Sequence, residues 1–370
     1  MGTPKLWEIV APAVASRSLL NLSTIKGFQT NHRGLRTLII GVDIRQALIR
    51  IYAIVAALKS AGVFHPGVGG QTLVLEKLFY QLCNFSLAPV TLVFIFDGPG
   101  RPSVKRGTKV IYRPAWLIQH LKTMITSFGY YVYDAPGEAE AELGQLSEHG
   151  KIDGIITEDS DAFIFGAQCV IRTAGPYVEN MSSIYTMESI ETTNSVSLDK
   201  DGLFLCALLI GGDYHTGVPG FGPTIARALA AGGFGQDLVR VLRAFKDPER
   251  GQHLAIWRNS LRYELQTNLS GRLDKRQPML ANHILDTFPD LDVANLYLDP
   301  LTSRSPEFVG QIPNTTHWIP REPSIGEITD FCSVQFGWSG EELLKKLHNN
   351  LWPGVTFRLI SSVKFTPPFD

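Results

Sequence analysis

The stretch that decides the fold is residues 134–161, DAPGEAEAELGQLSEHGKIDGIITEDSD. It sets Glu138, Glu140, Glu142, Asp159 and Asp161 around one predicted helix and one predicted strand. Carboxylates crowded beside apolar segments that must be buried either hold divalent metal or repel one another at a cost. Pro136 and Gly137 mark a helix start, because proline is tolerated at the first helical position. On a regular helix Glu138 and Glu142 share a face, whereas Glu140 points about 200° around from Glu138. Glu138 and Glu140 therefore converge only if Glu138 lies in an irregular first turn. Residues 152–157 read as a buried strand, with Asp159 and Asp161 leaving its carboxyl end.

Upstream, residues 35–42 (LRTLIIGV) run into Asp43 and residues 89–96 (PVTLVFIF) into Asp97. Short apolar runs of this kind read as buried parallel strands. Residues 44–61, 72–85 and 116–128 carry apolar side chains at helical spacing, and residues 130–133 and 169–172 add short strands. Strands alternating with helices predict an α/β fold, a mostly parallel twisted sheet flanked by helices. Ligands of such sheets bind beyond the carboxyl ends of the strands. Asp43, Asp97 and the Asp159/Asp161 pair reach that edge by separate readings.

Downstream, residues 199–209 form a capped apolar helix, and IGGDYHTGVPGFGP (210–223) follows. Closely spaced glycines and prolines make a tight hairpin around Gly217, Val218, Gly220 and Gly222, and a second helix opens at Thr224. Backbone N–H groups in such a turn, next to a helix N-terminus, suit a phosphate; an ordinary helix connection has the same composition. Helical spacing continues over residues 234–280 with many basic residues. Residues 288–323 lack periodicity and read as an extended wrap, residues 325–351 return to helix, and residues 352–370 are too short to be a domain. The expected organisation is a core at 1–205, a hairpin region at 206–260, and a C-terminal wrap with helices at 261–370.

The chain has 370 residues, 44% of them hydrophobic, and a net charge of −1. A polyanion-binding surface must then come from local clustering. One cluster is present: residues 98–133 contain no acid but hold Arg101, Lys105, Arg106, Lys109, Arg113 and Lys122. The four cysteines lie far apart without a CxxC pair, which argues for a reducing compartment and against disulfides or structural zinc. The opening MGTPKL has Leu6 where a myristoylation site requires Ser or Thr, and neither a signal peptide nor a membrane-length apolar run is found. An intracellular protein with no membrane partner is expected.

Asp43, Asp97, Glu138, Glu140, Asp159, Asp161 and Asp213 can gather at one sheet edge without histidine or cysteine. All-oxygen ligation favours Mg²⁺, with Mn²⁺ as a substitute. Two such ions about 3.5–4 Å apart would activate water and stabilise the leaving oxygen of a phosphodiester. Lys105 and Arg106 could neutralise the scissile phosphate, or simply keep an exposed loop soluble. Tyr112 and Trp116 are candidates for base stacking, with core packing the competing role for Trp116.

The chain resembles the flap endonuclease and XPG-type superfamily of structure-specific nucleases. The resemblance runs through MGTPKLWEI, VDI at Asp43, FDGPGRPSVKRG after Asp97, DAPGEAEAE, TEDSD and LIGGDYHTGVPGFGPTIA, about the first 235 residues. The later TNLSGRLDKRQP, FPD and WPG segments are similar to the fungal branch of the eukaryotic Holliday junction resolvases. It implies a PIN-like core, branched DNA as substrate, and the seven carboxylates as catalytic metal ligands. Lys105 matches the basic residue near the scissile phosphate, with Arg106 or Arg113 as a second. Gly217, Val218, Gly220 and Gly222 match a helix-two-turn-helix that grips duplex backbone, often with K⁺. Gly2, Arg101 and Lys109 join the expected DNA contacts, and the apolar helix after Asp43 matches a wedge against DNA. The resolvase branch acts as a homodimer on the junction, a monomer when free, in the nucleus. The alternatives are a flap or repair endonuclease, and a catalytically silent protein that binds branched DNA. Residues 98–116 are shorter than a flap-endonuclease arch, and no chromodomain is recognisable before Asp370.

Overall fold

The computed structural model describes the chain apart from residues 1–2, 4, 61–69, 103, 106–107, 110–113, 174, 176, 309–311 and 363–370. Seven strands, β1 (Ala15–Ser18), β2 (Leu38–Asp43), β3 (Val90–Phe96), β4 (Tyr131–Asp134), β5 (Gly154–Ile156), β6 (Cys169–Thr173) and β7 (Met181–Thr186), form one sheet in the order β1-β7-β6-β5-β2-β3-β4. The run from β6 to β4 is parallel throughout, and β7 is antiparallel to both β6 and β1.

Every residue of β2 and β3 is buried, as strands covered on both faces require. Their side chains alternate between two cores. Ile39, Val93 and Ile95 enter one, and Ile40, Val42, Leu92, Phe94 and Phe96 the other, following the two-residue period of a pleated strand. Each such side chain taken out of water is worth about 1.5–3 kcal/mol. In chain order the main helices are α1 (Leu6–Val10), α2 (Ile44–Ser60), α3 (Gly70–Phe85), α4 (Ala115–Ser127), α5 (Ala139–Glu148), α6 (Lys200–Ile210), α7 (Pro223–Ala231), α8 (Phe234–Ala244), α9 (Glu249–Thr267), α10 (Leu291–Leu298), α11 (Ile325–Phe336), α12 (Gly340–Asn350) and α13 (Trp352–Ser362). The first core takes α1 and α5 to α10; the second takes α2 to α4 and α11 to α13.

The parallel α/β architecture matches the expectation, with three differences. Two strands, β1 and β7, join the sheet unforeseen. β1 is ASRS, three of its four residues exposed, and an edge strand with no apolar run leaves no periodic signal. The stretch read as an irregular wrap contains α10, capped by Asp290, whose carboxylate accepts the Asp292 and Val293 N–H groups. The rest of it does bind the core as a strap: the Tyr131 hydroxyl meets the main chain of His317 and Ile319, and Ser324 N–H donates to Ser127 O at 2.7 Å. Third, α5 begins at Ala139, three residues after Pro136.

Among the described residues no helix is long and apolar enough to cross a membrane. Cys83, Cys169, Cys206 and Cys332 are free thiols.

Candidate active site

Asp43 is the last residue of β2 and Asp97 follows β3 directly. Parallel pairing sets Asp43 opposite Ile95, so both carboxylates leave the sheet at one edge. Beside β2, β5 delivers Asp159 and Asp161 in the turn after its end. Asp213 comes from a separate element, after α6 has ended at Ile210 and Gly211 has turned the chain at φ +95°. Asp43, Glu138, Glu140, Asp159, Asp161 and Asp213 are all buried.

Glu138 settles the geometric condition set by the sequence. It is the N-cap of α5, with extended φ −82° and ψ 138°, while Glu140 lies in the first helical turn. The two are therefore not related by the regular helical rotation. Glu138 accepts the hydroxyl of Tyr214, the residue after Asp213. Glu142, one turn on, faces elsewhere: its carboxylate accepts the Ser303 N–H at 2.8 Å and the Ser303 hydroxyl at 2.6 Å.

The electrostatics record how close these groups stand. Burial, then the charges of Glu140 and Asp97, push the Asp43 carboxyl well above the usual range. Burial and the neighbouring Asp161 raise Asp159 to about 7, and burial with Glu140 and Asp213 raises Asp161 to about 7. Glu140 lies against Asp159, and two carboxylates in contact need a shared proton or a cation between them. Asp159 Oδ1 accepts the Asp161 N–H at 3.0 Å, while its buried Oδ2 has no hydrogen-bond partner. Asp161 accepts the Thr3 N–H at 2.8 Å and the Tyr297 hydroxyl at 3.2 Å.

An all-carboxylate donor set, mutual repulsion and an unsatisfied buried oxygen fit a hard divalent cation such as Mg²⁺. Among the described residues, however, no three such side chains are drawn into a finished coordination sphere. Several are held instead by protein groups, Asp97 by Arg101 and Asp161 by Thr3 and Tyr297.

The basic window is placed in part. Arg101, expected to meet DNA, turns inward: its guanidinium sits 2.7 Å from Asp97, with 11% of the side chain exposed. The backbone of Lys105 and Lys109 belongs to a two-rung antiparallel ladder, Val104–Lys105 with Thr108–Lys109. Gly2, Arg106, Tyr112 and Arg113 lie outside the described residues. Trp116 is 45% exposed, so it is not a core residue. Lys122 pairs with Asp134 at 2.6 Å.

The hairpin after α6 is a tight turn. Gly217 and Gly220 hold φ of +79° and +86°, and Gly222 caps α7 with Pro223 at its first position. The N–H groups of Gly212, Val218 and Phe221 are already donated to main-chain oxygens of His215, Leu209 and Val218. Pro219 and Gly220 are exposed at the tip.

Sequence reasoning missed Thr3, Tyr214, Tyr297 and Ser303 as supports of the acidic residues. Tyr214 adjoins Asp213 and was within reach; Tyr297 comes from α10, in a segment read as irregular.

A family model described as the XPG I-region matches residues 129–213, the stretch that carries five of the seven carboxylates, Glu138, Glu140, Asp159, Asp161 and Asp213. DNA repair protein RAD2 of Saccharomyces cerevisiae is 28% identical over 231 residues, 61% of this chain and 20% of that protein. Flap endonuclease GEN homolog 1 of Mus musculus is 33% identical over 191 residues, 45% of this chain and 20% of the relative. The chain thus matches only about a fifth of the length of these two proteins. Among solved structures, a eukaryotic junction-resolving enzyme GEN-1 with cesium superimposes with a TM-score of 0.73 at 26% identity, covering 95% of this chain and 78% of that one. The Holliday junction-resolving enzyme GEN1 with product DNA and Mg²⁺ gives 0.71 at 26% identity, covering 94% and 77%.

Together with the sheet order and the carboxylates at its edge, these likenesses make the chain similar to the flap endonuclease/XPG-type nucleases. Among the solved structures it is similar to the GEN-type junction-resolving enzymes over nearly its whole length.

Proposed function

We propose that this chain is a Mg²⁺-dependent endonuclease that resolves Holliday junctions by paired symmetric nicks and also cuts 5′ flaps. The observation that carries the reading is the convergence of carboxylates, all but the half-buried Asp97 fully buried, from five separate elements on one sheet edge: Asp43 from β2, Asp97 after β3, Glu138 and Glu140 at the start of α5, Asp159 and Asp161 after β5, and Asp213 after α6. Such crowding carries an electrostatic cost that divalent cations remove.

Asp43, Asp97, Glu138, Glu140, Asp159, Asp161 and Asp213 would hold two divalent ions, Mg²⁺ or Mn²⁺. When bound, these supply Lewis acidity that activates a water and stabilises charge on the leaving oxygen. Tyr214 orients Glu138, while Thr3 and Tyr297 orient Asp161. Lys105, with Arg106 or Arg113, neutralises charge building on the scissile phosphate. Gly217, Val218, Gly220 and Gly222 approach the duplex backbone closely, with K⁺ as a further ligand of that hairpin. Gly2, Arg101 and Lys109 complete the DNA contacts, Arg101 once it leaves Asp97. The nuclease core spans residues 1–205, the helix-two-turn-helix region 206–260 and the C-terminal wrap 261–370.

The chain pairs into a homodimer on the four-way junction, is a monomer when free, and works in the nucleus. Similarity to GEN-type enzymes over nearly the whole fold supports the junction as substrate. The likeness to RAD2 supports the second reading, a repair endonuclease acting mainly on 5′ flaps or bubbles. Cleavage of a static four-way junction and of a 5′ flap, with nick positions mapped on both strands, separates the two. Symmetric paired nicks are expected; a junction left intact beside a cut flap selects the second reading. Asp43→Asn should abolish cleavage and keep binding, and unaltered cleavage would remove the metal-site assignment.

A further inference from the structure

Glu158 stands one residue before Asp159, and its carboxylate is divided between two guanidiniums. Arg50 Nη2 lies 3.1 Å from Oε1 and Arg172 Nε lies 2.9 Å from Oε2. Arg50 comes from α2, seven residues and about two helical turns after Asp43. Arg172 comes from β6, the strand hydrogen-bonded to β5. Neither arginine depends on Glu158 alone for its orientation. Arg50 also donates to the hydroxyl and main-chain oxygen of Thr173. The Arg172 guanidinium lies 4.2 Å over the indole of Trp7, whose ring N–H in turn donates to the Glu158 main-chain oxygen at 3.1 Å.

Two positive groups on one negative group leave a net positive charge. The side chains of Arg50, Glu158 and Arg172 are 35%, 33% and 32% exposed, so this charge faces solvent beside the acidic edge. Ion pairs so exposed add little to stability, and the fold gains little from a second guanidinium on the same carboxylate. The planar fork of arginine matches the oxygens of a phosphate. Arg50 also lines a groove of about 860 Å³ with Ile54, Lys77 and Tyr177, and no carboxylate is among the described residues lining it.

We propose that Arg50 and Arg172 form a phosphodiester-binding subsite next to the metal ligands, with Glu158 as its resident counter-anion, displaced when nucleic acid arrives. The subsite rests on the branched-DNA reading and extends it to residues of α2 and β6. A non-bridging phosphate oxygen takes the place of a Glu158 oxygen and meets donors already aimed at it. In this arrangement Glu158 is a brake on binding, since DNA must compete with it for both guanidiniums.

The test is the salt dependence of binding, read by fluorescence anisotropy of a labelled four-way junction in EDTA. Each phosphate contact contributes about −0.9 to the slope of log affinity against log salt. Arg50→Ala and Arg172→Ala should each flatten the slope by about 0.9, and the pair by about twice that. Arg172→Lys should keep the slope. Glu158→Gln should tighten binding at every salt concentration, because the amide no longer competes with phosphate. Unchanged slopes in the arginine variants, or weaker binding by Glu158→Gln at a wild-type melting temperature, overturn the subsite. If a double variant fails to fold, Glu158→Gln and Arg172→Lys still decide. A wild-type chain that does not bind the junction in a salt-dependent way removes the branched-DNA reading itself; a wild type that binds, with variants that do not differ, removes only the subsite.

Discussion

The main-chain N–H of Thr3 donates to Asp161 Oδ1 at 2.8 Å, across 158 positions of sequence. The Ser160 hydroxyl returns the contact, donating to Thr3 O at 2.8 Å. On the other side Tyr297, from α10, donates to Asp161 Oδ2 at 3.2 Å. One carboxylate of the acidic edge is thus braced from the N-terminal segment and from the C-terminal half at once. Burial and the nearby Asp161 push the Tyr297 phenol well above its ordinary range, which keeps it a neutral donor.

Removing that donor should cost activity more than stability. Tyr297→Phe preserves the ring that packs at 5.9 Å from Phe165 and 4.9 Å from Tyr214. Hydrogen bonds to charged groups are worth about 1.5–3 kcal/mol, so a loss of about tenfold or more in the single-turnover cleavage rate at saturating Mg²⁺ is expected. The cleavage position should not move. A rate equal to wild type would show that Asp161 does not rely on Tyr297 for its orientation.

Asp161 also marks the limit of what could be read from the chain. Asp43, Asp97, Asp159 and Asp161 were legible because each follows an apolar run, and a buried parallel strand has no other place for its polar terminus. Glu138 was legible only conditionally. A regular helix would have turned it away from Glu140, and its extended N-cap backbone decides the matter. Thr3 and Tyr297 leave no trace, because their role depends on the path by which remote segments return to the sheet. β1 was invisible for a related reason: a polar edge strand is specified by its partner, β7, and not by its own pattern.

The acidic edge should also make stability depend on pH with a definite sign. The carboxyls of Asp159 and Asp161, ordinarily near 3.8, are raised to about 7 in the folded chain, in each case first by burial. The folded state then binds more protons than the unfolded state between those values, so stability must fall as pH rises from about 4 to about 7. The favourable contribution is complete below the unfolded value and is lost once pH passes the folded one. Melting temperatures measured in EDTA across this window should decline, Asp159→Asn should flatten the decline, and Mg²⁺ should oppose it. A melting temperature that climbs through the window in EDTA, with Asp159→Asn removing the climb, would mean that these carboxyls are stabilised in their charged form.

Glu142 belongs to a different function, although it shares the GEAEAE run with Glu138 and Glu140. Its carboxylate, raised first by burial, is held by both the N–H and the hydroxyl of Ser303. This contact fastens the strap after α10 to α5. Ser303→Ala removes one of the two donors and should destabilise the fold by about 1–3 kcal/mol, read from chemical denaturation. Divalent affinity, measured by Mn²⁺ titration, should be unchanged. A large loss of Mn²⁺ affinity in this variant would place Glu142 among the residues that hold metal.

The hairpin after α6 allows its two readings to be separated by a pair of glycines. Gly217 has φ +79°, and a Cβ there would lie 2.4 Å from the Ile210 carbonyl carbon. Gly217→Ala is therefore structural, with at least the roughly 1–2 kcal/mol cost of a left-handed residue. Gly222 differs in both respects: its φ is −111° and a Cβ would meet nothing within 4 Å. Gly222→Ala should cost only the roughly 0.5–1 kcal/mol by which alanine is a poorer N-cap than glycine. Because Gly222 caps α7, an added methyl stands where a phosphate would approach the N-terminus of that helix. If the hairpin grips the duplex backbone, Gly222→Ala weakens junction binding at every salt concentration while leaving the salt slope nearly unchanged, because the lost contact is a neutral backbone N–H and not a cationic side chain. If the hairpin only connects two helices, the variant binds as wild type does, and anisotropy titrations at two salt concentrations are enough to tell the two cases apart.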